Sequence, residues 1–468
     1  MSAGRRDEGI GRRLPGALFR RRAHPEDVVP GEVQETPARS EGPARRPRVL
    51  VVGLHYAPEH SGNAPYTTGM ARHLASAGLG VTVVTGHPHY PEWRLHPGYE
   101  RRRPVETDRG VRLRRVRHPV PARPTAGARI VMEAVFAAGA AVQLARRRAD
   151  VVVAVSPVLL SLVPAVLLRR LRGYRLGVVV QDLYGAALAE TGMGGGRLTA
   201  ATAWLERTLL GRADSVVVIH EVFRARLVNQ GVPAGRVQVI PNWSHVSVPV
   251  EVDRAAVRAE LGWGADEVIA LHAGNMGVKQ GLEGLVDVAR LAGEQDSRVR
   301  VVLLGDGSRR PALQEYGAGL PRLTFMEPLP DGRFEEALVA ADVLLLHEKP
   351  GVVEMSVPSK LTSYFTAGRP VVAATHPRSG AAALMASSGA GAVTEAGDPA
   401  AILAAIESVS ADPAAADAMG AAGRSYAASH LTGPASLSRY EAWVRGLASG
   451  GGAASGHDRS PSSARRAR

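Results

Sequence analysis

The stretch VPSKLTSYFTAGRPVVAA, residues 357–374, contains the pattern that decides the fold. Ser359 is a favoured residue before a helix, Gly368 is a favoured residue just after one, and Pro370 prevents the helix from continuing. The apolar run that follows has the composition of a buried strand. We therefore predict a helix that begins at Ser359 and leads into a strand, which is the repeating unit of a parallel α/β sheet.

The same alternation of short β-branched runs and helix-length segments extends in both directions. It predicts parallel strands with helices on both faces. The alternation restarts after a link at 247–250, and the 468 residues exceed the roughly 250 to 300 at which one core stops growing. We predict an α/β fold of two tandem Rossmann-like, doubly wound domains with a cleft between them. The predicted strands are RVLVVGL (48–54), VTVVTG (81–86), DVVVAVS (150–156), LGVVVQD (176–182), DSVVVIH (214–220), VQVIPN (237–242), VIALHAG (268–274), VRVVLLGDG (299–307), LTFMEPL (323–329), ADVLLLH (341–347), RPVVAAT (369–375) and GAGAVT (389–394).

The predicted segments are a disordered basic tail over 1–46, a first domain over 47–247, a second domain over 248–430, a helix over 431–448 and a disordered tail over 449–468. The helix follows from apolar residues spaced three and four apart in SLSRYEAWVRGL, residues 436–447. Its apolar face predicts that it packs back on the first domain.

Composition excludes several classes of protein. The chain has no cysteine, so it has no disulfide and no thiolate metal site. Its formal net charge is +13, but the arginines concentrate in the two tails and in a middle stretch without interleaved aromatic residues. We therefore predict no nucleic-acid partner. Residues 1–46 contain no apolar run typical of a signal peptide, which indicates a cytoplasmic protein.

Two segments raise the question of membrane contact. In Arg101–Arg117, apolar residues alternate with arginines, which fits either a solvated edge strand or hairpin, or a patch that contacts anionic lipid headgroups. The run Val151–Leu168 carries no charge and approaches the length of a membrane span. Because Pro157 and Pro164 interrupt it, we predict a buried strand, a turn and a short apolar helix. Peripheral contact with the inner face of the cell membrane stays open.

Ligands of open α/β sheets bind beyond the carboxyl ends of the strands, so the loops there form the candidate site. The loop after the first strand lacks the GxGxxG pattern of dinucleotide-binding folds, and we predict no cofactor. Gly62 in this loop lets the backbone approach a phosphate at the next helix N-terminus, although Ser61 and Asn63 could simply cap that helix.

A second glycine-rich loop, GNMGVKQG (274–281), follows the strand VIALHAG. Its glycines permit close backbone approach, and Lys279 can place a positive charge on a diphosphate, although a plain surface lysine is the alternative. The helix start at Ser359 offers further free N–H groups. No Asp-x-Asp pair occurs in the chain, which predicts no metal-bridged diphosphate. The predicted diphosphate and nucleoside contacts are Gly62, Gly274, Asn275, Gly277, Lys279, Gly305, Asp306, Gly307, Glu327, Ser359, Lys360, Leu361 and Ser363.

The chain resembles the GT-B glycosyltransferases of family 4, and within them the colanic-acid and O-antigen type branch, from about Arg48 to Leu447. The resemblance rests on an ordered set of motifs, which are YAPEHSGNAPYTTGMARHLASAGLGVTVVTGHPHYPEW (56–93), VQDLYGAALAETGM (180–193), ERTLLGRADSVVVIHE (206–221), GNMGVKQGLE (274–283), VVLLGDGS (301–308) and the stretch 357–374.

The resemblance implies a retaining, metal-independent transfer of a sugar from a nucleotide-diphosphate sugar to a lipid-linked or saccharide acceptor, in the synthesis of a cell-surface polysaccharide or glycoconjugate. The second domain would bind the donor. The first domain would face the acceptor through His60, Ser61, Asn63 and Tyr66. Two alternatives on the same fold are a UDP-sugar 2-epimerase-like enzyme and a non-catalytic scaffold protein at a membrane complex.

The chain departs from the family pattern at its catalytic positions. The paired glutamates of the family fall at Met355 and Ser363, with Glu354 beside the first. Its phosphate-binding basic residues fall at Asn275 and Gln280, with Lys279 one residue early. The position of the first-domain histidine holds Gln181 followed by Asp182, so Asp182 becomes a candidate to orient or deprotonate the acceptor hydroxyl, with a buried structural role as the alternative. The catalytic candidates are Asp182, Lys279 and Glu354.

Overall fold

The computed structural model describes residues 46–60, 62–100, 105–122, 125–156, 158–183, 196–244, 251–330, 332–351 and 359–450. These residues form two α/β sheets in tandem, as the alternating pattern predicts. The first sheet has eight strands, which are β1 (Arg48–Val52), β2 (Gly80–Gly86), β3 (Glu106–Asp108), β4 (Val111–Val116), β5 (Val151–Ser156), β6 (Arg175–Val180), β7 (Ser215–Val218) and β8 (Val237–Val239). Their spatial order is β3-β4-β2-β1-β5-β6-β7-β8, parallel except for the β3–β4 pair.

The second sheet has six strands, which are β9 (Val268–Ala273), β10 (Val299–Leu304), β11 (Leu323–Met326), β12 (Val343–His347), β13 (Val371–Ala374) and β14 (Gly391–Thr394). The order is β11-β10-β9-β12-β13-β14, all parallel. In both sheets the strand order reverses beside the strand that comes first in the chain, between β1 and β5 and between β9 and β12. An open α/β sheet binds its ligand at such a point.

The helices of the described chain, in order, are α1 (Ala64–Ser76), α2 (Ala126–Arg146), α3 (Leu159–Arg172), α4 (Gly196–Leu210), α5 (Glu221–Asn229), α6 (Arg254–Glu260), α7 (Glu283–Glu294), α8 (Arg310–Tyr316), α9 (Arg333–Ala340), α10 (Lys360–Ala367), α11 (Gly380–Ser388), α12 (Pro399–Ala411), α13 (Pro413–His430) and α14 (Gly433–Ala448).

Alternation along the strands divides these helices between two faces. In β1, Leu50 and Val52 point to a core shared with α2 and α3, whereas Val49 and Val51 point to a core shared with α1 and α14. Successive side chains of a strand face opposite sides, so a strand covered on both faces must be apolar throughout. The uninterrupted apolar runs in the sequence have this cause.

The last helix, α14, lies against the first sheet although it follows the second sheet in the chain. Trp443 is buried against β6, where a Cβ on Gly177 would lie 2.6 Å from the indole ring. The indole Nε1 donates to Ser215 Oγ at 2.9 Å. Gly177 therefore makes room for Trp443, and the two residues attach the end of the chain to the first sheet.

The two segments that raised the membrane question have ordered roles. β3 and β4 form an antiparallel hairpin inside the basic stretch. There Arg115 binds Glu106 and donates to the carbonyl of Ala57 at 2.7 Å, so this arginine belongs to the interior. The uncharged run is strand β5 followed by α3, and not a membrane span. Among the described residues one helical segment, Gly127–Arg146, has the length and apolar composition that crossing a bilayer requires.

We predict that Trp443→Ala lowers the free energy of unfolding by about 3–5 kcal/mol, because it leaves a cavity between α14 and β6 and removes a buried hydrogen bond. Urea unfolding followed by circular dichroism measures the change. Trp204→Ala is the matched control, because that ring is 57% exposed and its loss is expected to cost about 0.5 kcal/mol or less. Equal losses in the two variants would contradict the attachment of α14.

Candidate functional site

The loops after β9 and β10 approach each other closely at two glycines, Gly274 and Gly305. Gly274 has φ +124° and Gly305 has φ +132°. A Cβ on Gly305 would lie 2.2 Å from the carbonyl oxygen of Gly274, which no side chain permits. The two backbones therefore form one surface at the carboxyl end of the sheet.

Lys360 stands over this surface. It is the first residue of α10, and its Cε would lie 3.0 Å from a Cβ on Gly274. Burial lowers the pKa of Lys360 to about 8, and the negative charge of Glu348 opposes that shift. Glu348 is itself buried after β12, and its side chain accepts a hydrogen bond from Thr375. A partly desolvated ammonium at a helix N-terminus is a strong partner for a phosphate group.

The rest of the glycine-rich loop is fixed by short hydrogen bonds. The Met276 amide donates to the Asp306 carbonyl at 2.8 Å, and the Gly277 amide donates to Gln280 Oε1 at 3.0 Å. Asn275 lies against Gly307, since a Cβ on Gly307 would be 2.7 Å from Asn275 Oδ1. The structure thus brings the predicted loop residues together. These are Gly274, Asn275, Gly277, Gly305, Asp306 and Gly307.

Two pairings relate the halves of the cleft. The Tyr66 hydroxyl on α1 lies near Thr362 and Ser359 at the start of α10: burial raises its pKa to about 12, and the polar side chains of Thr362 and Ser359 oppose that rise. Asp182, after β6, is close enough to Lys279 for their charges to interact. Burial raises the pKa of Asp182, and the positive charge of Lys279 opposes that shift. The predicted first-domain and second-domain residues therefore face one another.

Other predicted contacts lie elsewhere. Glu327 is exposed and pairs with Arg310 at 2.6 Å. Leu361 is a core side chain, so only its backbone amide remains for a ligand, and Ser363 is buried inside α10. Ser359 occupies the N-cap position of α10 without a capping hydrogen bond from its hydroxyl, in contrast to the predicted cap.

The remaining predicted residues lie either in the loop between β1 and α1 or outside the described residues. His60 and Gly62 are exposed, and Asn63 Nδ2 donates to the Ser156 carbonyl at 3.5 Å without capping α1. Glu354 and Ser61 lie outside the described residues.

The distribution of lysine in the sequence indicates the donor side, although no motif contains it. Lys279, Lys349 and Lys360 are the only lysines in a chain whose Lys and Arg residues together number 57. All three lie around this loop, because the Lys349 amide donates to the Lys279 carbonyl at 2.8 Å. Glu348 lay next to one of them and was not predicted.

A second group of residues that the motifs did not indicate lines the first-sheet side of the cleft. The buried Glu59 accepts hydrogen bonds from His55 Nδ1 at 2.8 Å and from the backbone amides of His89 and Tyr90 at 2.8 and 2.9 Å. Burial alone would raise the pKa of Glu59, but the charge and hydrogen bond of His55 outweigh it and hold the pKa at about 2. Glu59 therefore anchors the 87–93 loop to the loop after β1.

His55, Glu59 and His89 could hold a metal ion, because their ligand atoms all lie within 4.8 Å of one another. The carboxylate oxygens are already occupied by the three hydrogen bonds of this network. The His89 side chain is fully buried, and burial lowers its pKa to about 4. The arrangement fits a hydrogen-bonded network around a carboxylate without requiring an ion.

Tyr90 extends this group into the cleft. A Cβ on Gly62 would lie 3.3 Å from its ring, so the two loops touch. Burial raises the pKa of Tyr90, Arg129 opposes that shift, and the charge of Asp182 reinforces it. Tyr90 therefore lies within electrostatic reach of both Asp182 and Arg129.

Two family models match consecutive parts of the chain. One describes a glycosyl transferase 4-like domain and matches residues 61–243, and the other describes glycosyl transferases group 1 and matches residues 267–412. A similar protein is the putative colanic acid biosynthesis glycosyl transferase WcaI of Escherichia coli (strain K12). It is 30% identical over 332 residues, which cover 69% of this chain and 81% of the relative.

Solved structures share the fold. Sucrose-phosphate synthase from Thermosynechococcus elongatus has a TM-score of 0.70 at 21% identity, covering 86% of this chain and 100% of that one. Anabaena HepE in complex with UDP-glucose has a TM-score of 0.62 at 14% identity, covering 85% and 99%. WaaG, a glycosyltransferase involved in lipopolysaccharide biosynthesis, has a TM-score of 0.60 at 18% identity, covering 84% and 99%. These matches agree with the two-domain GT-B architecture.

We predict that the free energy of unfolding falls by about 1.4 kcal/mol per pH unit on account of His89 as the pH drops from 6.5 towards 4. The unfolded chain takes up this proton near 6.5, whereas the folded chain resists it to about 4, so the term is constant above 6.5. Below 4.5 the protonation of Glu59 in the unfolded chain adds a loss that is complete near its folded pKa of about 2.

Urea unfolding of the wild type and of His89→Gln at a series of pH values measures this term. Between pH 6.5 and 4, the free energy of unfolding of the variant is expected to fall by about 1.4 kcal/mol per pH unit less than that of the wild type, whatever its overall stability. Parallel curves for the two proteins in that interval would refute the role given to His89.

Proposed function

The chain belongs to the family of glycosyltransferases that contains the group 1 and 4-like domains, and on this premise we propose that it moves a sugar from a nucleotide-diphosphate sugar to a lipid-linked or saccharide acceptor, with retention at the anomeric carbon. The observation that carries the proposal is the diphosphate pocket formed by Gly274, Gly305 and Lys360 at the start of α10. The ammonium of Lys360 and the N-terminus of α10 offer what a departing diphosphate needs.

In the proposed reaction the bond between the anomeric carbon and the diphosphate oxygen breaks while the acceptor oxygen bonds to the same face of that carbon. The acceptor's proton passes to the departing diphosphate. Lys360 and Lys279 stabilise the charge that grows on this group, so positioning and electrostatics supply most of the barrier reduction. We propose that no metal ion takes part, and we assign the neutralising role of a cation to the ammonium groups of Lys279 and Lys360 together with the N-terminus of α10.

Asp182 is the proposed group that orients the acceptor hydroxyl. It lies after β6, on the first-sheet side, and the charge of Lys279 acts on it from the second-sheet side. Burial raises its pKa, which makes the carboxylate a better hydrogen-bond acceptor than an exposed one. A hydroxyl held by Asp182 would therefore face a sugar held over Lys279.

The names of the relatives point to the synthesis of a cell-surface polysaccharide or glycoconjugate as the setting of this reaction. WcaI is named as a putative glycosyl transferase of colanic acid biosynthesis, and WaaG as a glycosyltransferase involved in lipopolysaccharide biosynthesis. Products of these kinds grow on membrane-bound molecules, so the surface by which this chain would reach a bilayer becomes relevant.

We propose that the enzyme works on the inner face of the membrane through an apolar stripe on α2 and its neighbours. Val131, Val135, Ala138 and Val142 recur at spacings of four and three along one exposed side of α2. Leu171, at 80% exposure, extends the stripe onto α3, which packs beside α2. Single exposed apolar residues are common, but an aligned row on adjacent helices marks an interaction surface.

The rim of the stripe is basic, which selects an anionic bilayer as its partner. Arg146 and Arg148 lie at the end of α2, and Arg170 and Arg172 at the end of α3, all exposed. The charges of Arg112 and Arg114 reach Arg147, so the basic hairpin adjoins this rim. Each arginine near an anionic leaflet contributes about 1 kcal/mol. The predicted lipid-contacting stretch Arg101–Arg117 would thus contribute to the rim, with the apolar contact on the helices.

A panel of UDP- and GDP-sugars, assayed by thermal shift and by transfer to polyprenyl-phosphate and saccharide acceptors, tests the proposed activity. Transfer with an unchanged anomeric configuration is the expected result. Release of a free 2-epimerised sugar would favour the epimerase hypothesis. A melting temperature that no nucleotide changes would favour a non-catalytic scaffold. The same assay in excess EDTA tests independence from metal.

We predict that Lys360→Ala weakens binding of the preferred nucleotide by about 10- to 100-fold, because it removes a charge-assisted hydrogen bond to a phosphate. Calorimetric titration of the nucleotide measures the loss. Arg298→Ala is the matched control, since it removes one positive charge from an exposed residue before β10, at the opposite end of the sheet, and is expected to leave binding within about threefold. Equal effects of the two variants would remove Lys360 from the diphosphate site.

We predict that Val131→Asp combined with Leu171→Asp weakens binding to phosphatidylcholine–phosphatidylglycerol vesicles by at least about tenfold, because each change puts a charge in place of apolar area that the bilayer would bury. Vesicle co-sedimentation measures this. Val393→Asp is the control, because Val393 is an exposed valine on β14 of the other sheet. Wild-type binding by the double variant would show that the stripe does not contact lipid.

A further inference from the structure

Arg129, in the first turns of α2, is held in place without a carboxylate. Its guanidinium carbon lies 4.7 Å from the centroid of the Trp93 ring. Within the described part of the chain no acidic side chain pairs with it, and its Nε is buried without a hydrogen-bond partner. By contrast Arg48, Arg72 and Arg115 each bind a carboxylate. Stacking fixes the planar fork of Arg129 and leaves its terminal Nη donors for an external anion.

The stacking partner is itself held in an unusual conformation. Trp93 has φ +52°, in the left-handed region that bulky residues seldom adopt. Its ring also meets His89 and Tyr90 edge-on, at 5.9 and 6.1 Å. Strain of this kind persists where the surroundings impose it, and it is concentrated at functional sites. The loop anchored by Glu59 therefore presents Trp93 as a fixed platform for Arg129.

The platform adjoins two features described above. On one side, Trp93 meets Tyr90, whose ring contacts Gly62 in the loop after β1, so these two rings connect Arg129 to the cleft. The charges of Arg129 and Asp182 both act on Tyr90. On the other side, Ile130 and Val131 follow at once, 43% and 56% exposed, and begin the apolar stripe. A molecule with its sugar at Asp182 and its tail along α2 would place its linking group at Arg129.

We propose that Arg129, stacked on Trp93, binds a phosphate group of the acceptor substrate. The inference rests on the proposed function and specifies the acceptor as a phosphorylated one. A guanidinium makes two parallel hydrogen bonds to a phosphate, and the neighbouring indole keeps water from one of its faces. The same chemistry suits the phosphate of a membrane-anchored carrier and that of a soluble sugar phosphate.

The test compares Arg129→Gln with Arg148→Gln, which removes an equal charge from an exposed position just beyond the far end of α2. Co-sedimentation uses phosphatidylcholine vesicles that carry either polyprenyl phosphate or phosphatidylglycerol at an equal mole fraction. The wild type is expected to prefer polyprenyl phosphate by about 10- to 100-fold. Arg129→Gln is expected to lose that preference, and Arg148→Gln to weaken binding to both vesicles alike.

A second arm titrates inorganic phosphate against tryptophan fluorescence with the donor site saturated by UDP. A saturable response in the wild type that Arg129→Gln abolishes supports the site. If this response appears without a preference for polyprenyl phosphate, the phosphate belongs to a soluble acceptor. If Arg129→Gln matches Arg148→Gln in both arms, the proposal is overturned. Neither readout requires sugar transfer, so a failed donor panel and a failed phosphate site give different results.

Discussion

The arrangement of the donor side depends on one close approach, that of the Gly274 carbonyl to the Cα of Gly305. No side chain fits between these loops, because a Cβ on Gly305 would penetrate the carbonyl oxygen. The contact lets β9 and β10 end on a common surface, and it leaves the space above for the Lys360 ammonium. A methyl group on Gly305 would separate the loops and move Asp306 and Asn275 apart, whereas one on Gly274 would press on the Lys360 side chain.

Much of the fold follows from the sequence, because the constraint that sets it is local. A parallel strand covered on both faces must be apolar at every position, so each β-branched run marks a strand. The end of α10 was equally predictable, since Gly368 has φ +67° and Pro370 follows. The start of the same helix was less so. Ser359 stands at the N-cap position, but its hydroxyl makes no capping hydrogen bond.

The residues on the acceptor side could not be read from the sequence for a physical reason. Glu59 anchors the loop at His89 and Tyr90 through backbone amides, which leave no mark in residue identity. The stacking of Arg129 on Trp93 joins a loop and a helix separated by the β3–β4 hairpin. Rules based on sequence spacing predict which residues are neighbours within one helix or strand, whereas these contacts depend on how three elements pack together. Glu327 shows the converse, since its loop position suited a ligand but Arg310 holds it at the surface.

The distribution of lysine has a practical consequence for the study of this chain. Apart from the N-terminal amine, its primary amines are those of Lys279, Lys349 and Lys360, all beside one loop. With a pKa of about 8, the Lys360 amine is partly uncharged near neutrality and therefore nucleophilic. Reductive methylation with isotope-enriched formaldehyde would thus place its labels almost wholly in one cleft. A spectrum of so few methyl signals would follow occupancy of that cleft directly, in a protein too large for routine backbone assignment.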